Sequence, residues 1–600
     1  MPLALIALAL IGCRSVPEEV PAGDDTADTA FAPLDDTGAT VVRDDVDADG
    51  FLAADDCDDA NPAVNPAADE VCNGFDDDCD GTVDLSASDA EAWFDDDDGD
   101  GYGVERLVSC EQPDGFVLTG GDCDDGNVEI HPGAAEVCGD ETDNDCSREA
   151  DICAITGVYA PGAQDLRLGG ANGEGFGASV ALGDFDGDGQ IDLAGGAPDF
   201  AAGDAGGFGR VAVWFGPVAG SGTTANADAT VASGVDDAGL GAAVAAGDHD
   251  GDGVSDLFVH VRASAYDPDG AGSVRVLYGG ARWAGANGFD GAATLLGGAP
   301  GDGFGSALAV GDVDGDGVSD LLVGAGDALS LAEGAGAAQL YYGGSTRRSG
   351  VLVGGADTSV YGVGSFDALG ASVALGDLTG DGFADVLLGG PGIDGAGADR
   401  GAAAVFAGGG LGFVPELAEA DAFYAGAVDG DAAGTAVIAL GDLDADGYDE
   451  LGVYVPGYDA DGLDDAGALW VYAGAAALGA SPVATLHGSA ANAMFGASAA
   501  GAGDVDGDGV GDLFVGAPGD AAYGAGAGAG AVFYGPVAGT YAATAANATV
   551  YAEGGAGGGL GAVLGRADLT GDGLLDLVAS APTEGAGAGA VYVWAVRGGE

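Results

Sequence analysis

Seven short Asp-rich loops recur between residues 162 and 597. Each has the form Asp-x-Asp/Thr-x-Asp-Gly-x-x-Asp/Glu, and they begin 62 to 65 residues apart, at Asp184, Asp248, Asp312, Asp377, Asp442, Asp504 and Asp568. Carboxylates at alternate positions, followed by a glycine that permits a tight turn, can converge on one hard cation. Calcium prefers such all-oxygen sites, so the pattern predicts about one calcium ion per repeat.

The predicted ligands occupy positions one, three, five and nine of each loop. Copies one, two, three and six use only aspartate: Asp184, Asp186, Asp188 and Asp192; Asp248, Asp250, Asp252 and Asp256; Asp312, Asp314, Asp316 and Asp320; Asp504, Asp506, Asp508 and Asp512. Copy five closes with glutamate: Asp442, Asp444, Asp446 and Glu450. Copies four and seven have threonine at position three: Asp377, Thr379, Asp381 and Asp385; Asp568, Thr570, Asp572 and Asp576. Because threonine carries no charge, we expect these two loops to bind calcium more weakly.

The segments on both sides of each loop predict a β-hairpin. Residues 178–183 precede the first loop and residues 193–198 follow it, and both segments are short and apolar. An EF-hand would use a longer loop between amphipathic helices, so these loops are a different kind of site. Each repeat adds a third and a fourth strand segment, and a fixed period of this length is typical of a propeller. The sequence therefore predicts an all-β fold, in which a seven-bladed β-propeller spans residues 162–597.

The last repeat ends at its third strand segment, residues 591–594. An unmatched segment with the character of a fourth strand, residues 165–168, precedes the first repeat. We predict that this N-terminal segment completes the last blade and closes the ring, because closure leaves no long sheet edge exposed.

Two short motifs mark the first repeat, Phe176-Gly177 and Gly196-Ala197-Pro198. With these motifs the repeat resembles the FG-GAP repeat of integrin α-subunit propellers and of many bacterial surface proteins. Other copies depart from the pattern: Leu240, Leu369 and Leu560 replace the phenylalanine, copy five has no aromatic residue there, and residues 259–262 replace Gly-Ala-Pro in copy two. The resemblance implies a propeller fold.

Residues 44–153 contain two copies of an Asp- and Cys-rich unit. The first has Asp-rich segments at residues 45–50 and 56–59, and the second has them at residues 96–101 and 122–125. The unit resembles the metal-binding motif of MopE-type bacterial surface proteins. Alternate aspartates predict a calcium site in each copy, with the ligands Asp45, Asp47, Asp49, Asp96, Asp98 and Asp100. The resemblance also suggests copper with His131 as a ligand, but the first copy has Val64 at that position. Calcium, copper and the absence of any bound metal therefore stay open.

Eight of the nine cysteines lie in this Asp- and Cys-rich region: Cys57, Cys72, Cys79, Cys110, Cys123, Cys138, Cys146 and Cys153. An even, clustered set predicts disulfides formed in an oxidising compartment, although the sequence does not choose the pairing. We expect the disulfides to stabilise a small region that has few large apolar side chains, rather than the thiols to bind a soft metal.

The N-terminal residues predict export. Residues 1–13 are apolar but too few to span a membrane, and residues 10–13 resemble the lipobox of bacterial lipoproteins. The resemblance implies a lipoprotein signal peptide, lipidation of Cys13, and a location at the outer membrane or cell surface. Residues 14–43 predict a disordered acidic linker.

Composition limits the possible partners. The chain has 100 Asp and Glu against 14 Lys and Arg, a formal net charge of −86, which excludes nucleic acid because like charges repel. The membrane would be reached only through the lipid anchor. The predicted ligand is an unknown protein or glycan, bound on the face opposite the Asp-rich loops, where four aromatic residues lie: Phe200, Tyr266, Tyr458 and Tyr523.

Three functions fit these features. The first is an extracytoplasmic calcium-binding surface protein that acts as an adhesion or ligand-binding scaffold through its propeller. The second is a metal-sequestering surface protein for calcium or copper, and the third is an extracellular hydrolase on a propeller frame. The sequence has no His-Glu-x-x-His pair and no Gly-x-Ser-x-Gly segment, so we predict the scaffold and no enzyme activity.

Overall fold

The chain divides into two compact units, Met1–Val128 and Glu129–Glu600. The computed structural model describes residues 45–104, 106–128, 130–132, 134, 144, 146, 156–201, 209–232, 239–262, 270–280, 293–297, 299, 301–329, 332–353, 355–393, 398–409, 417–460, 462–553 and 556–595. The predicted signal peptide with Cys13 and the predicted linker lie outside these residues, as do Cys138, Cys153 and Tyr266. Within the described ranges, no helix combines the length and the apolar character needed to cross a membrane.

Among its described residues, the first unit contains one small antiparallel sheet. Its central strand is Glu91–Asp95, which pairs with Arg106–Ser109 on one side and Phe116–Val117 on the other. Between residues 45 and 128, the described residues bury only three apolar side chains, Val64, Ala87 and Trp93. So small a core cannot stabilise a folded unit by itself, and other links must contribute.

The second unit is built from β-strands. Among its described residues, seven sheets each contain four antiparallel strands that pair in order from the first to the fourth. We number these sheets 1 to 7 by their first strands: Val180–Gly183, Val244–Gly247, Ala307–Gly311, Ser372–Gly376, Ala436–Ala439, Ala499–Gly503 and Leu564–Ala567. The predicted all-β fold is confirmed.

The remaining strands follow the same order in sheets 1 to 7. The second strands are Asp192–Ala197, Asp256–Val261, Asp320–Ala325, Asp385–Gly390, Leu451–Val455, Asp512–Ala517 and Asp576–Ala581. The third strands are Arg210–Trp214, Ser273–Leu277, Ala337–Tyr341, Ala402–Phe406, Ala468–Tyr472, Ala529–Phe533 and Ala590–Trp594. The fourth strands of sheets 1 to 6 are Ala229–Ala232, Ala293–Leu296, Thr358–Tyr361, Ala422–Ala425, Ala484–His487 and Ala548–Val550.

Sheet 7 takes its fourth strand from the other end of the unit. Leu166–Gly169 pairs antiparallel with Ala590–Trp594, and Leu168 lies opposite Val591. This strand overlaps residues 165–168, the segment predicted to complete the last repeat. Sheet 7 therefore joins the beginning of the repeat region to its end.

In the described part of the chain, four sheets gain a fifth, parallel strand that the sequence did not reveal. These strands are Gly350–Val353 on sheet 2, Gly539–Ala542 on sheet 5, Gly157–Tyr159 on sheet 6 and Gly222–Thr223 on sheet 7. Helical turns are short: Thr224–Asn226, Leu417–Glu419 and Ala543–Ala545 are 3₁₀ turns, and Glu584–Gly587 is one turn. Each fifth strand shields the outer edge of its sheet, which would otherwise offer unpaired backbone groups.

Consecutive sheets pack face to face and share apolar clusters. Sheets 1 and 2, for example, share a cluster that contains Val213 and Leu257. The last sheet also packs against the first, because Leu193 and Trp214 of sheet 1 share an apolar cluster with Val578 of sheet 7. The first strands also contact one another in sequence, and the first strand of sheet 7 contacts that of sheet 1. Each sheet of the described residues therefore contacts the next one, and sheet 7 contacts sheet 1.

A close backbone approach explains the glycine of the Gly-Ala-Pro motif. A Cβ atom on Gly196 would lie 2.0 Å from the carbonyl oxygen of Gly241, the Phe/Leu-Gly glycine of the next repeat. Gly324, Gly389 and Gly516 approach the next repeat in the same way, at 2.1 to 2.2 Å. The two motifs that define the repeat thus form one contact between neighbouring sheets.

We predict that Gly196→Ala destabilises the second unit by at least about 1–3 kcal/mol, because the added methyl group overpacks this contact. Gly479→Ala is the matched control, because no atom lies within 4 Å of a Cβ built there. Urea unfolding followed by tryptophan fluorescence should give a lower midpoint for Gly196→Ala only. Equal midpoints for the two variants would contradict the proposed role of the contact.

Candidate metal centres

Each Asp-rich loop joins the first and second strands of its sheet, as the sequence predicted. In the first loop, one oxygen of Asp184 accepts hydrogen bonds from the amides of Gly187 (2.7 Å) and Asp188 (3.1 Å). The other oxygen accepts one from the amide of Gly189 at 2.9 Å. In all seven loops the amide five residues after the first aspartate donates to that aspartate, at 2.7 to 2.9 Å. The first carboxylate therefore sets the curvature of every loop.

The carboxylate at position nine is buried and holds the hairpin to the rest of its sheet. Asp192 is fully buried; its Oδ2 accepts from the Phe185 amide at 2.7 Å, and its Oδ1 accepts from the Gly216 amide at 2.8 Å. Gly216 lies just after the third strand. In sheets 2 to 6 the equivalent carboxylate accepts from the residue at the same place, at 2.8 to 3.3 Å. This tertiary role was not visible in the sequence.

Burial also changes the acidity of these closing carboxylates. It raises the pKa of Asp192, Asp320, Asp385, Asp512 and Asp576 to about 6. It raises the pKa of Asp256 and Glu450 to about 7. Backbone hydrogen bonds oppose the shift, and the carboxylates at positions one, three and five add to it.

Position three differs between the aspartate loops and the threonine loops. Burial, followed by repulsion from neighbouring carboxylates, raises the pKa of Asp314. In loops four and seven the threonine donates to the closing aspartate instead, from Thr379 Oγ1 to Asp385 at 3.3 Å and from Thr570 Oγ1 to Asp576 at 3.5 Å. These hydroxyls are directed at a carboxylate, which fits the expectation of weaker metal binding.

Loop two carries its own cation. The guanidinium of Arg347 pairs with Asp250 and, at 2.7 Å, with Asp252, which are positions three and five of that loop. It also lies over the ring of Tyr278, 4.9 Å from its centroid. No sequence signal predicted this pairing, because Arg347 lies almost one hundred residues after the loop.

The N-terminal loops have the same local geometry. Asp45 accepts from the amides of Ala48 (2.7 Å) and Gly50 (3.2 Å), and Asp96 accepts from that of Gly99 (2.7 Å). Carboxylate oxygens of Asp96, Asp98 and Asp100 lie within 4.8 Å of one another. The predicted residues of the first copy, Asp45, Asp47 and Asp49, divide between two overlapping clusters. One of these clusters adds Asp59 and the other adds Asp56.

The six cysteines that the structure describes are in disulfide bonds rather than arranged around a metal. Cys57 pairs with Cys79, and Cys72 pairs with Cys110, with Cα atoms 5.6 and 5.3 Å apart. Cys123 and Cys146 are also disulfide-bonded. The predicted disulfides are thus confirmed for the cysteines that the structure describes.

The predicted aromatic surface is smaller than expected. Phe200 packs against the apolar cluster between sheets 7 and 1, with the guanidinium of Arg210 4.2 Å from its ring centroid. Tyr458 packs beside Trp470 and His487. Tyr523 alone of the described candidates is exposed, and its ring lies 4.3 Å from that of Tyr551. Two of the predicted ligand-binding aromatics are therefore mainly packing residues.

Family models match both parts of the chain. The FG-GAP repeat matches residues 176–214, 304–341 and 560–594, which run from the Phe/Leu-Gly motif to the third strand in sheets 1, 3 and 7. A second family, described as a "putative metal-binding motif", matches residues 56–84 and 122–151. Integrin alpha-V of Gallus gallus is 33% identical over 230 residues, which cover 36% of this chain and 20% of that protein. The chain spans a fifth of the length of this curated relative.

Comparison with solved structures gives weaker likenesses. The rhamnogalacturonan lyase PL11 of Bacillus licheniformis aligns with a TM-score of 0.35 and 13% identity, covering 72% of each chain. The Dos1 propeller aligns with a TM-score of 0.32 and 10% identity, covering 70% of this chain and 92% of that one. At such scores neither likeness supports a shared activity. The sequence matches, together with the strand order, show that this chain carries integrin-like FG-GAP repeats together with MopE-type metal-binding motifs.

Proposed function

We propose that this chain is an extracytoplasmic binding scaffold, a seven-bladed β-propeller whose Asp-rich loops hold calcium. The observation that carries the proposal is the recurrence of one loop geometry in all seven sheets, with a buried carboxylate joining each loop to its sheet. Carboxylates packed this closely repel one another unless a cation or a proton neutralises them. A cation that binds only the folded state also stabilises it by mass action.

The disulfides support a location outside the cytoplasm, because such bonds persist in oxidising compartments. Lipidation of Cys13 would then attach the chain to the outer membrane or cell surface. Integrin-like FG-GAP repeats favour a binding role over catalysis, and we assign no catalytic residue.

The ligand-binding face is the one opposite the Asp-rich loops. On that face of sheet 3 lies a cavity of about 270 Å³, lined by Asp302, Leu329, Gln339 and Tyr361 among others. Leu329 is 55% exposed, so a large apolar side chain stands at the rim of a partly polar cavity. Such a mixture suits a protein or glycan surface.

Calcium counting tests the metal part of the proposal. Because Arg347 already neutralises loop two, native mass spectrometry of the full chain should show six chelatable calcium ions in the propeller. Arg347→Gln should raise this number to seven, since it removes the internal cation. Arg400→Gln is the control, because Arg400 pairs with Asp429 and contacts no Asp-rich loop. No chelatable calcium in any of these proteins would refute the metal proposal.

The pH dependence of stability should differ with and without calcium. The closing carboxylates have raised pKa values in the folded chain, so the folded chain holds their protons more tightly than the unfolded chain does. The metal-free protein should therefore become more stable as the pH falls from 7 to 5. Burial lowers the pKa of His249 and His260, so these two histidines make the folded chain less stable as the pH falls. We expect the seven closing carboxylates to outweigh them.

Thermal unfolding in a chelator at pH 7.5, 6.5 and 5.5 measures this trend. Excess calcium should abolish or reverse it, because protons and calcium compete for the same carboxylates. The opposite result, an unfolding midpoint of the metal-free protein that falls with decreasing pH, would contradict the prediction. It would mean that ionisation of the closing carboxylates does not destabilise the folded chain.

Two leucines on opposite faces test the ligand-binding face. Leu329→Asp should abolish binding to a protein or glycan found by array screening of the whole chain, because it places a charge at the rim of the cavity. Leu575 is 42% exposed and lies in the seventh Asp-rich loop, so Leu575→Asp should leave binding unchanged. The reverse result would place the ligand on the face of the Asp-rich loops.

A further inference from the structure

Two buried carboxylates of the first unit have an oxygen with no hydrogen-bond partner. Asp56 is 9% exposed and Asp122 is 7% exposed. In each residue Oδ1 accepts from the amide two residues later, at 2.9 and 2.8 Å, while Oδ2 has no partner and is closed off from solvent. Leaving a buried ionised oxygen without a partner is costly, so a cation beside either oxygen would stabilise the fold.

These oxygens belong to a pattern that occurs twice. In the first copy Asp47, Asp49 and Asp56 each use Oδ1 for a backbone amide and leave a buried Oδ2 unpaired. Carboxylate oxygens of the three residues lie within 4.8 Å of one another. In the second copy, the same unpaired Oδ2 recurs at Asp98, Asp100 and Asp122. The carboxylates of Asp98 and Asp100 lie close enough to that of Asp122 to repel it.

We propose that Asp56 and Asp122 complete two further calcium sites, one with Asp47 and Asp49 and the other with Asp98 and Asp100. The proposal extends the calcium binding proposed above to the first unit and names ligands that the loop pattern does not contain. Three carboxylates provide a compact, all-oxygen, strongly negative site, which suits a hard divalent cation. Copper and zinc would favour nitrogen or sulfur, but the neighbouring Cys57 is already bonded to Cys79.

The spacing explains why the sequence did not reveal these ligands. Asp56 follows Asp49 by seven residues, whereas Asp122 follows Asp100 by 22 residues. Two strands of the small sheet, Arg106–Ser109 and Phe116–Val117, lie within the longer interval. Each calcium ion would therefore fasten an Asp-rich loop to the residue beside a disulfide-bonded cysteine, in a unit with little apolar core.

The test is calcium counting on the full chain with isosteric variants. Asp56→Asn and Asp122→Asn should each lose one calcium ion, and the double variant should lose two. Asp49→Asn combined with Asp56→Asn should lose only one ion, because both residues belong to one site. Asp114→Asn removes an exposed carboxylate of the same unit and should lose none.

Asp506→Asn, in the sixth propeller loop, separates this inference from the proposed function. If Asp506→Asn lowers the count while Asp56→Asn and Asp122→Asn do not, the inference is wrong and the propeller sites stand. If only the Asp56 and Asp122 variants lower the count, the inference stands and the propeller sites fail.

Disulfide mapping of each variant under non-reducing conditions checks the fold, and the Cys57–Cys79 bond should persist. If that bond is lost, the calcium count of the single variant Asp49→Asn tests the site of Asp47, Asp49 and Asp56 instead, because Asp49 is more exposed than Asp56. Titration of the unsubstituted chain with copper tests the identity of the metal. If the chain retains copper in place of calcium, the assignment of calcium to these two sites is wrong.

Discussion

The buried carboxylate at the end of each Asp-rich loop is the interaction on which the seven sheets depend. It accepts one amide from its own loop and, in sheets 1 to 6, a second amide from the end of the third strand. One side chain thereby fixes the loop, the hairpin and the path of the chain into the next strand. Burial makes these hydrogen bonds effective, but it also raises the free energy of the ionised carboxylate. A positive charge nearby therefore stabilises the fold.

The loops differ in the group that offsets the negative charge of their carboxylates. Loop two has an arginine, Arg347, against two of its aspartates, and loops four and seven replace one carboxylate by a threonine that donates to the closing aspartate. The other four loops keep all their carboxylates, so we expect them to bind calcium more tightly than the two threonine loops. A repeat that is uniform in sequence is therefore not uniform in electrostatics.

The first unit depends on crosslinks rather than on apolar packing. With few buried apolar side chains among its described residues, it relies on disulfides and, as we propose, on cations held between segments. Both devices join residues that are separated along the chain. Disulfide bonds and bound calcium are also well suited to an extracellular environment, where oxidants and calcium are abundant.

The sequence by itself determined the repeat, the all-β class, the hairpin around each loop and the strand that completes sheet 7. The first three features follow from hydrogen bonds and apolar alternation within a few residues, repeated at a nearly constant period. The fourth follows from counting strand segments, because the last repeat lacks its fourth segment and an unmatched one precedes the first repeat. Only the tertiary structure decided the pairing of Cys57 with Cys79, the four parallel outer strands, the place of Arg347 and the convergence of Asp56 with Asp47 and Asp49. Each of these depends on where a distant segment comes to lie, and the path of the intervening chain, not local chemistry, sets that position.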